Sequence, residues 1–148
     1  HIAGGGQIIL SLVDPCYCDY PYGEHPMKGI YQVDLHPDYA SPDRVLGSEC
    51  LTWSEFIRSP ERLQELAFPR FTALAEALWC GDHCPGYDDF LTRLEEIFPV
   101  FEEMGIRATP KESWDPDPEE AAAQSKTFRA QFEAEKEHED YEALVAAI

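Results

Sequence analysis

Two close groups of cysteines carry most of the reactive side chains in this sequence: Cys16-Tyr17-Cys18 near the start and Cys80-Gly81-Asp82-His83-Cys84 in the middle. A structural zinc takes four soft or borderline ligands, commonly two from each of two short loops, because a short loop aims both members at one tetrahedron. Cys16, Cys18, Cys80 and Cys84 make an all-thiolate set, with His83 or His25 available to replace one sulfur. The spacings depart from the usual two-residue gap, so the same residues also read as packed thiols, which behave as small apolar side chains. Cys50 is left over and reads as a packed thiol. The cofactor expectation is therefore none, or zinc held by that set.

A second group of residues suits contact with a partner. Tyr17, Tyr20, Tyr22 and Tyr39 stand in stretches rich in proline and glycine, among Asp19, Glu24, Asp38 and Asp43. Tyrosine supplies rigid contact area, and carboxylates complement a basic surface. Catalytic constellations are poorer. A nucleophilic Cys16 or Cys18 with His25 or His36 as base and Asp34 as orienting group can be drawn, but each of those histidines precedes a proline, which favours extended backbone in a loop or strand end. The pairs Glu95-Glu96, Glu102-Glu103 and Glu119-Glu120 fall on the polar faces of predicted helices. Gly4-Gly5-Gly6 precedes a strand and opens no helix, so it is no phosphate loop. No catalytic residue is assigned.

The elements that must position these groups are readable in outline. Gln7 to Val13 has the β-branched, apolar character of a strand, ended by Asp14-Pro15. In residues 30–35, Tyr31, Val33 and Leu35 alternate with Gln32 and Asp34, the period of a second strand. Loops 14–28 and 36–50 follow them. Thr52 and Glu55 have capping-box spacing and predict a short helix over 53–58. Ser59-Pro60 opens another helix, interrupted by Pro69 and resumed to Gly81. Tyr87, Phe90, Leu91, Leu94, Ile97, Phe98, Phe101 and Met104 trace one apolar stripe, in which Pro99 predicts a kink or a break into two helices. Asp117-Pro118-Glu119-Glu120 starts a polar C-terminal helix. Its apolar pair Phe128 and Phe132 lies on a different side from Tyr141, Leu144, Val145 and Ile148, so a straight helix cannot bury both.

The expected fold is thus α+β: a small N-terminal antiparallel sheet packed against several helices, with a helical C-terminal segment. The expected division is a leader or expression remnant at 1–6, a core domain at 7–109, a linker at 110–118 and a C-terminal helical segment at 119–148. A chain of 148 residues can bury a core without covalent staples.

Charge narrows the partners. Asp and Glu outnumber Lys and Arg by 29 to 11, a net −18 that runs through the whole chain. Such a field repels phosphate backbones, which argues against direct nucleic-acid binding, and attracts basic proteins. Ile8 to Val13 is too short an apolar run to cross a bilayer. An odd number of closely spaced cysteines points to a reducing, cytoplasmic setting. From sequence alone the leading reading is a non-enzymatic acidic protein-binding module of the inhibitor or immunity type, with a basic partner met by the eight Tyr, Asp and Glu residues named above. The alternatives are a zinc domain, structural or hydrolytic, and a subunit or fragment of a larger assembly.

Overall fold

The computed structural model describes residues 4–138. It is a mixed α+β arrangement built on two strands, β1 (Ile8–Leu10) and β2 (Val45–Ser48), and the helical elements α1 (Val13–Cys16), α2 (Met27–Tyr31), α3 (Pro60–Ala67), α4 (Arg70–Cys80), α5 (Tyr87–Glu103) and α6 (Pro118–His138). The strands run parallel, with Ile8 beside Val45 and Leu10 beside Ser48, and the register shifts between Ile8 and Ile9. The expected antiparallel sheet is therefore corrected. Parallel strands need a long crossover, and here residues 11–44 provide it.

The expected strand at 30–35 does not form. Pro26 precedes a helical turn in which Met27, Ile30 and Tyr31 are all buried at helical spacing, with α2 packed against α4. The Tyr31 hydroxyl donates to the carbonyl of Pro85 at 2.6 Å, which fixes the side chain from a distant part of the chain. That contact selects helix over the alternation in the sequence. The first expected strand shrinks to Ile8–Leu10, because the chain turns irregularly at Val13–Cys16, where Asp14 has extended backbone angles.

Helix boundaries in the middle of the chain follow local chemistry. The Ser59 hydroxyl accepts from the Arg62 amide, with Pro60 at the first helical position, and α3 stops before Pro69. Gly81 ends α4 with φ of 54°, a region that suits a residue without Cβ. α5 continues through Pro99 as one helix rather than two. The Asp117 carboxylate accepts from the amides of Glu119 and Glu120 and so caps α6. The stripe formed by Tyr141, Leu144, Val145 and Ile148 lies outside the described residues.

The core gathers Cys16, Cys18, Tyr22, Met27, Ile30 and Tyr31 from the crossover, Ala73 and Leu74 from α4, Phe90, Leu94 and Phe101 from α5, and Trp114. Trp114 is sealed in by its own indole, which donates to the Thr109 carbonyl at 2.7 Å, and its carbonyl accepts from the Met27 amide. Asp115 next to it accepts from the Lys28 amide and from the Tyr87 hydroxyl. The segment between α5 and α6 is thereby tied to the start of α2.

Candidate functional site

In an open sheet of parallel strands, ligands bind outside the carboxyl ends of the strands, where the chain leaves the sheet. Here those ends lead into Leu12–His25 and Glu49–Arg58. The two segments stay together beyond the sheet: the Glu49 amide donates to the Leu10 carbonyl, the Leu51 amide to Cys16 and the Cys18 amide to Leu51 at 2.7 Å, so Tyr17 and Leu51 form a parallel bridge. Strand alternation then turns Cys16, Cys18 and Cys50 to one side and Tyr17 to the other.

Aromatic and acidic side chains gather at this place. The ring of Tyr17 lies 6.3 Å from that of Trp53 and 5.9 Å edge-on to that of Tyr20. Trp53 keeps half its surface exposed, so an aromatic face is open to solvent. Asp19 is buried, and its Oδ1 has no hydrogen-bond partner among the described residues. Burial pushes the Asp19 carboxyl above the ordinary aspartate range, an effect reduced by its own amide, the Trp53 amide and Arg70, and increased by nearby Glu55. Glu55 is exposed at the same edge. The helix expected over 53–58 is absent.

Behind the site stands Arg70, a fully buried guanidinium at the start of α4. It donates to the carbonyls of Leu66, His25, Cys18 and Tyr20, the last two from the same nitrogen at 2.6 and 2.9 Å. Its charge also lies over the Tyr22 ring at 4.2 Å. Arginine suits this work because its planar fork keeps several donors fixed. His25 stacks on Tyr20 with centroids 4.8 Å apart and shares a 2.7 Å hydrogen bond with the Tyr17 carbonyl. The turn from Tyr17 to His25 is therefore held from beneath through its backbone, with Trp53 at the open edge and Asp19 buried.

The eight residues expected to bind a partner do not form one surface of like kind. Tyr17, Asp19 and Tyr20 come together. Tyr22 is buried, its hydroxyl donating to the carbonyls of Glu65 and Phe68. Glu24 accepts from Ser125 and pairs with Arg129 on α6, which hold its carboxyl below the usual range. Asp38 and Tyr39 are exposed in the crossover, and Asp43 is engaged within its own turn by Ser41 and Arg44. The residues that sequence reasoning missed are Trp53, Glu55 and Arg70. The signal for the first two is an aromatic and an acid two residues apart, at Trp53-Ser54-Glu55.

The five expected metal ligands separate into two places. Cys18 is buried in the core, and the Cys84 thiol donates to the carbonyls of Glu76 and Ala77 on α4. His83 is exposed. Among the described residues no three His, Cys, Asp or Glu side chains stand close enough to hold a metal ion. The set Cys16, Cys18, Cys80, His83 and Cys84 is thus not assembled, because the first two sulfurs face the strand-end pairing and the others the end of α4.

A cleft of ≈ 1130 Å³ runs between α3, α6 and the 107–113 segment. Asp19 and Phe56 belong to its lining, as do Arg62 and Arg107, both of which pair with Glu65. Tyr17 and Trp53 do not. Asp19 is the residue common to the cleft and the strand-end cluster, and among the described residues it alone combines burial with an unused side-chain acceptor. No helix among the described residues is long and apolar enough to cross a membrane.

Comparison with known proteins gives this geometry a context. Residues 2–82, more than half of the chain, match the model of glycosyl hydrolase family 20, catalytic domain. A β-N-acetylhexosaminidase of Cellulomonas fimi is 33% identical over 125 residues, which is 74% of this chain and 25% of that protein. The solved GH20 β-N-acetylhexosaminidase from Streptomyces coelicolor A3(2) superposes with a TM-score of 0.69 at 27% identity, over 78% of this chain and 26% of that one. A GH20 exo-β-N-acetylglucosaminidase from Vibrio harveyi, solved in complex with N-acetylglucosamine, shares the fold with a TM-score of 0.65 at 23% identity, over 74% and 20%. The chain spans about a quarter of the length of these relatives. These matches overturn the reading as an inhibitor or immunity-type binding module, and with it the zinc-domain alternative. Acidic charge and size were a poor guide, since both are properties of a surface and a site is a property of geometry.

Proposed function

This chain belongs to glycosyl hydrolase family 20, and we propose that it supplies a sugar-binding subsite for a glycosidase acting on terminal β-linked N-acetylhexosamine. The observation that supports this most is Asp19: a buried carboxylate with an unused oxygen, set beside an open aromatic face at the carboxyl ends of two parallel strands. A pyranose ring presents apolar C–H faces and a rim of hydroxyls. Tyr17 and Trp53 match the face, and Asp19 and Glu55 match the hydroxyl donors, because an ionised carboxylate offers only acceptors. The buried acid contributes discrimination, since a sugar lacking the right hydroxyl would leave Asp19 desolvated and unpaired. Family 20 enzymes stand outside the usual scheme of paired carboxylates, their chemistry being substrate-assisted. A subsite that orients the sugar is then a large part of what the protein must provide.

The test is a fluorescence titration of the full chain with N-acetylglucosamine. Binding at about millimolar Kd is expected for so small a ligand. Trp53 reports it, so Trp53→Phe removes the signal change, whereas Trp79→Phe retains it. A signal that persists in Trp53→Phe, or saturates equally with a sugar lacking hydroxyls that face Asp19, contradicts the proposal.

A further inference from the structure

We propose that the cleft beside Asp19 is an oxyanion site, and that the sugar at the strand ends belongs to an acidic glycan whose next unit carries a carboxylate or a sulfate. The glycan class rests on the sugar subsite proposed above; the oxyanion site stands on the cleft itself. The chain as a whole repels anions, with 29 acids against 11 bases, and the cleft reverses that balance. Arg58, Arg62 and Arg107 line it, against Asp19 and Glu65. Three of the eleven basic residues and two of the twenty-nine acids thus stand around one concave space. Concavity matters because low-dielectric walls focus the field of the charges they carry.

Glu65 holds two of these arginines together. Nη2 of Arg107 lies 3.0 Å from its Oε1, and Nη1 of Arg62 lies 3.6 Å from its Oε2. One carboxylate therefore gathers two like-charged guanidiniums, and positive charge is left in excess. Each contact occupies part of a five-donor fork, and both side chains are exposed. The wall that carries them is fixed: the Arg107 amide donates to the Gln64 side-chain oxygen at 3.0 Å, the Thr109 hydroxyl to the Glu65 carbonyl at 2.7 Å and the Thr109 amide to the Phe68 carbonyl at 2.9 Å. A second oxyanion bridging the two guanidiniums neutralises the excess and takes paired N–H donors from planar forks.

Asp19 connects this cleft to the strand-end cluster. It lines the cleft, is only 3% exposed, and its Oδ1 has no partner among the described residues, so it calls for a hydroxyl or N–H donor at the cleft's edge. Tyr17 and Trp53 lie outside the lining, so a ring on their faces is followed, past Asp19, by the space that the arginines border. Small-molecule pockets ordinarily measure about 300–1,000 Å³. At ≈ 1130 Å³ this cleft has room for a unit beyond the first ring. An N-acetylhexosamine followed by an acidic unit meets both demands, with hydroxyls at Asp19 and an oxyanion at Arg62 and Arg107.

The test is isothermal titration calorimetry of the full chain at about 150 mM salt, which screens the wider acidic field. The ligands are N-acetylglucosamine alone, N-acetylglucosamine β-linked to glucuronic acid or to its methyl ester, and N-acetylglucosamine β-linked to sulfated or unsulfated galactose. At least one acidic disaccharide is expected to bind about tenfold more tightly than its uncharged counterpart; a gain with glucuronate alone assigns the oxyanion to a carboxylate, and with sulfate alone to a sulfate ester. Arg62→Gln/Arg107→Gln abolishes the gain, Arg107→Lys loses most of it because the fork is gone, and Arg44→Gln in the crossover retains it. Glu65→Gln widens it by removing the competing carboxylate. Equal binding of charged and uncharged ligands in both pairs, or a preference that survives the double variant, would overturn the proposal. N-acetylglucosamine alone keeps the two readings apart. If it binds while charge makes no difference, the subsite stands and the oxyanion site falls; if only the acidic disaccharides bind, and through the arginines, the oxyanion site stands and the subsite falls.

Discussion

Asp19 occupies a position that disfavours its own charge, and function gives a reason for keeping it there. Its carboxyl is raised above the aspartate value of 3.8 by burial. For an acid with a raised folded-state pKa, the native state binds more protons than the unfolded state, so stability falls as pH rises from about 3.8 through the raised value and then levels off. Asp19→Asn removes this penalty while keeping an acceptor for the Trp53 amide. We expect its thermal midpoint to exceed that of the parent at pH 7 and to match it at pH 3, while N-acetylglucosamine affinity falls about tenfold or more. A variant that is less stable at neutral pH would contradict the assignment. Arg70 has the opposite character, since its guanidinium satisfies the four carbonyls of Leu66, His25, Cys18 and Tyr20. Arg70→Met leaves those acceptors buried, and urea unfolding is expected to show a loss of at least about 3 kcal/mol. Arg70→Lys should recover little, because one ammonium cannot reproduce the fork.

Among the elements, α6 is the one that clasps the site segments from outside. Phe128 meets both Tyr20 and Phe56, Phe132 meets Phe56, and Gln124 accepts from the Gly23 amide at 2.8 Å. Gly23 is required by this approach: a Cβ there would lie 2.8 Å from the Ala121 carbonyl oxygen, which is helix backbone and cannot rotate away. Gly23→Ala should therefore displace α6, costing about 1–3 kcal/mol, and hydrogen exchange should show the loss of protection concentrated in residues 118–134. The sequence carries this arrangement unevenly. Ser59-Pro60, Gly81 and Asp117 state their helix boundaries in local chemistry, and α3 to α6 lie close to where spacing puts them. Tyr31, Val33 and Leu35 mislead because their alternation is real but a non-local bond from Tyr31 to Pro85 decides the conformation. The direction of the sheet is likewise non-local: nothing in Ile8–Leu10 specifies that its partner is Val45–Ser48. At the site, Tyr17 and Asp19 are visible as loop residues, while Thr52 and Glu55 carry a capping-box spacing that opens no helix, which hides Trp53 and Glu55 as site residues.

For the molecule as a whole, the −18 charge is a stability term and not a guide to function. Like charges spread over so small a protein repel, and salt screens them over roughly 10 Å at 0.1 M. The thermal midpoint should rise by a few degrees between about 10 and 300 mM sodium chloride; a fall would mean that the ion pairs such as Glu76 with Arg93 outweigh the repulsion. The two parallel strands leave Ile9 and Leu46 largely exposed, although such strands are ordinarily covered on both faces. The matched segment is about a quarter of each of these relatives. What is claimed for this chain is one subsite in which Tyr17, Asp19, Trp53 and Glu55 act together. The most direct measurement is a two-dimensional NMR titration of the labelled chain with N-acetylglucosamine. The account predicts saturable shifts concentrated at Asp19, the Trp53 indole, Glu55 and their neighbours, abolished in Asp19→Ala. Shifts centred on the 36–44 segment, or none at these four residues, would contradict it.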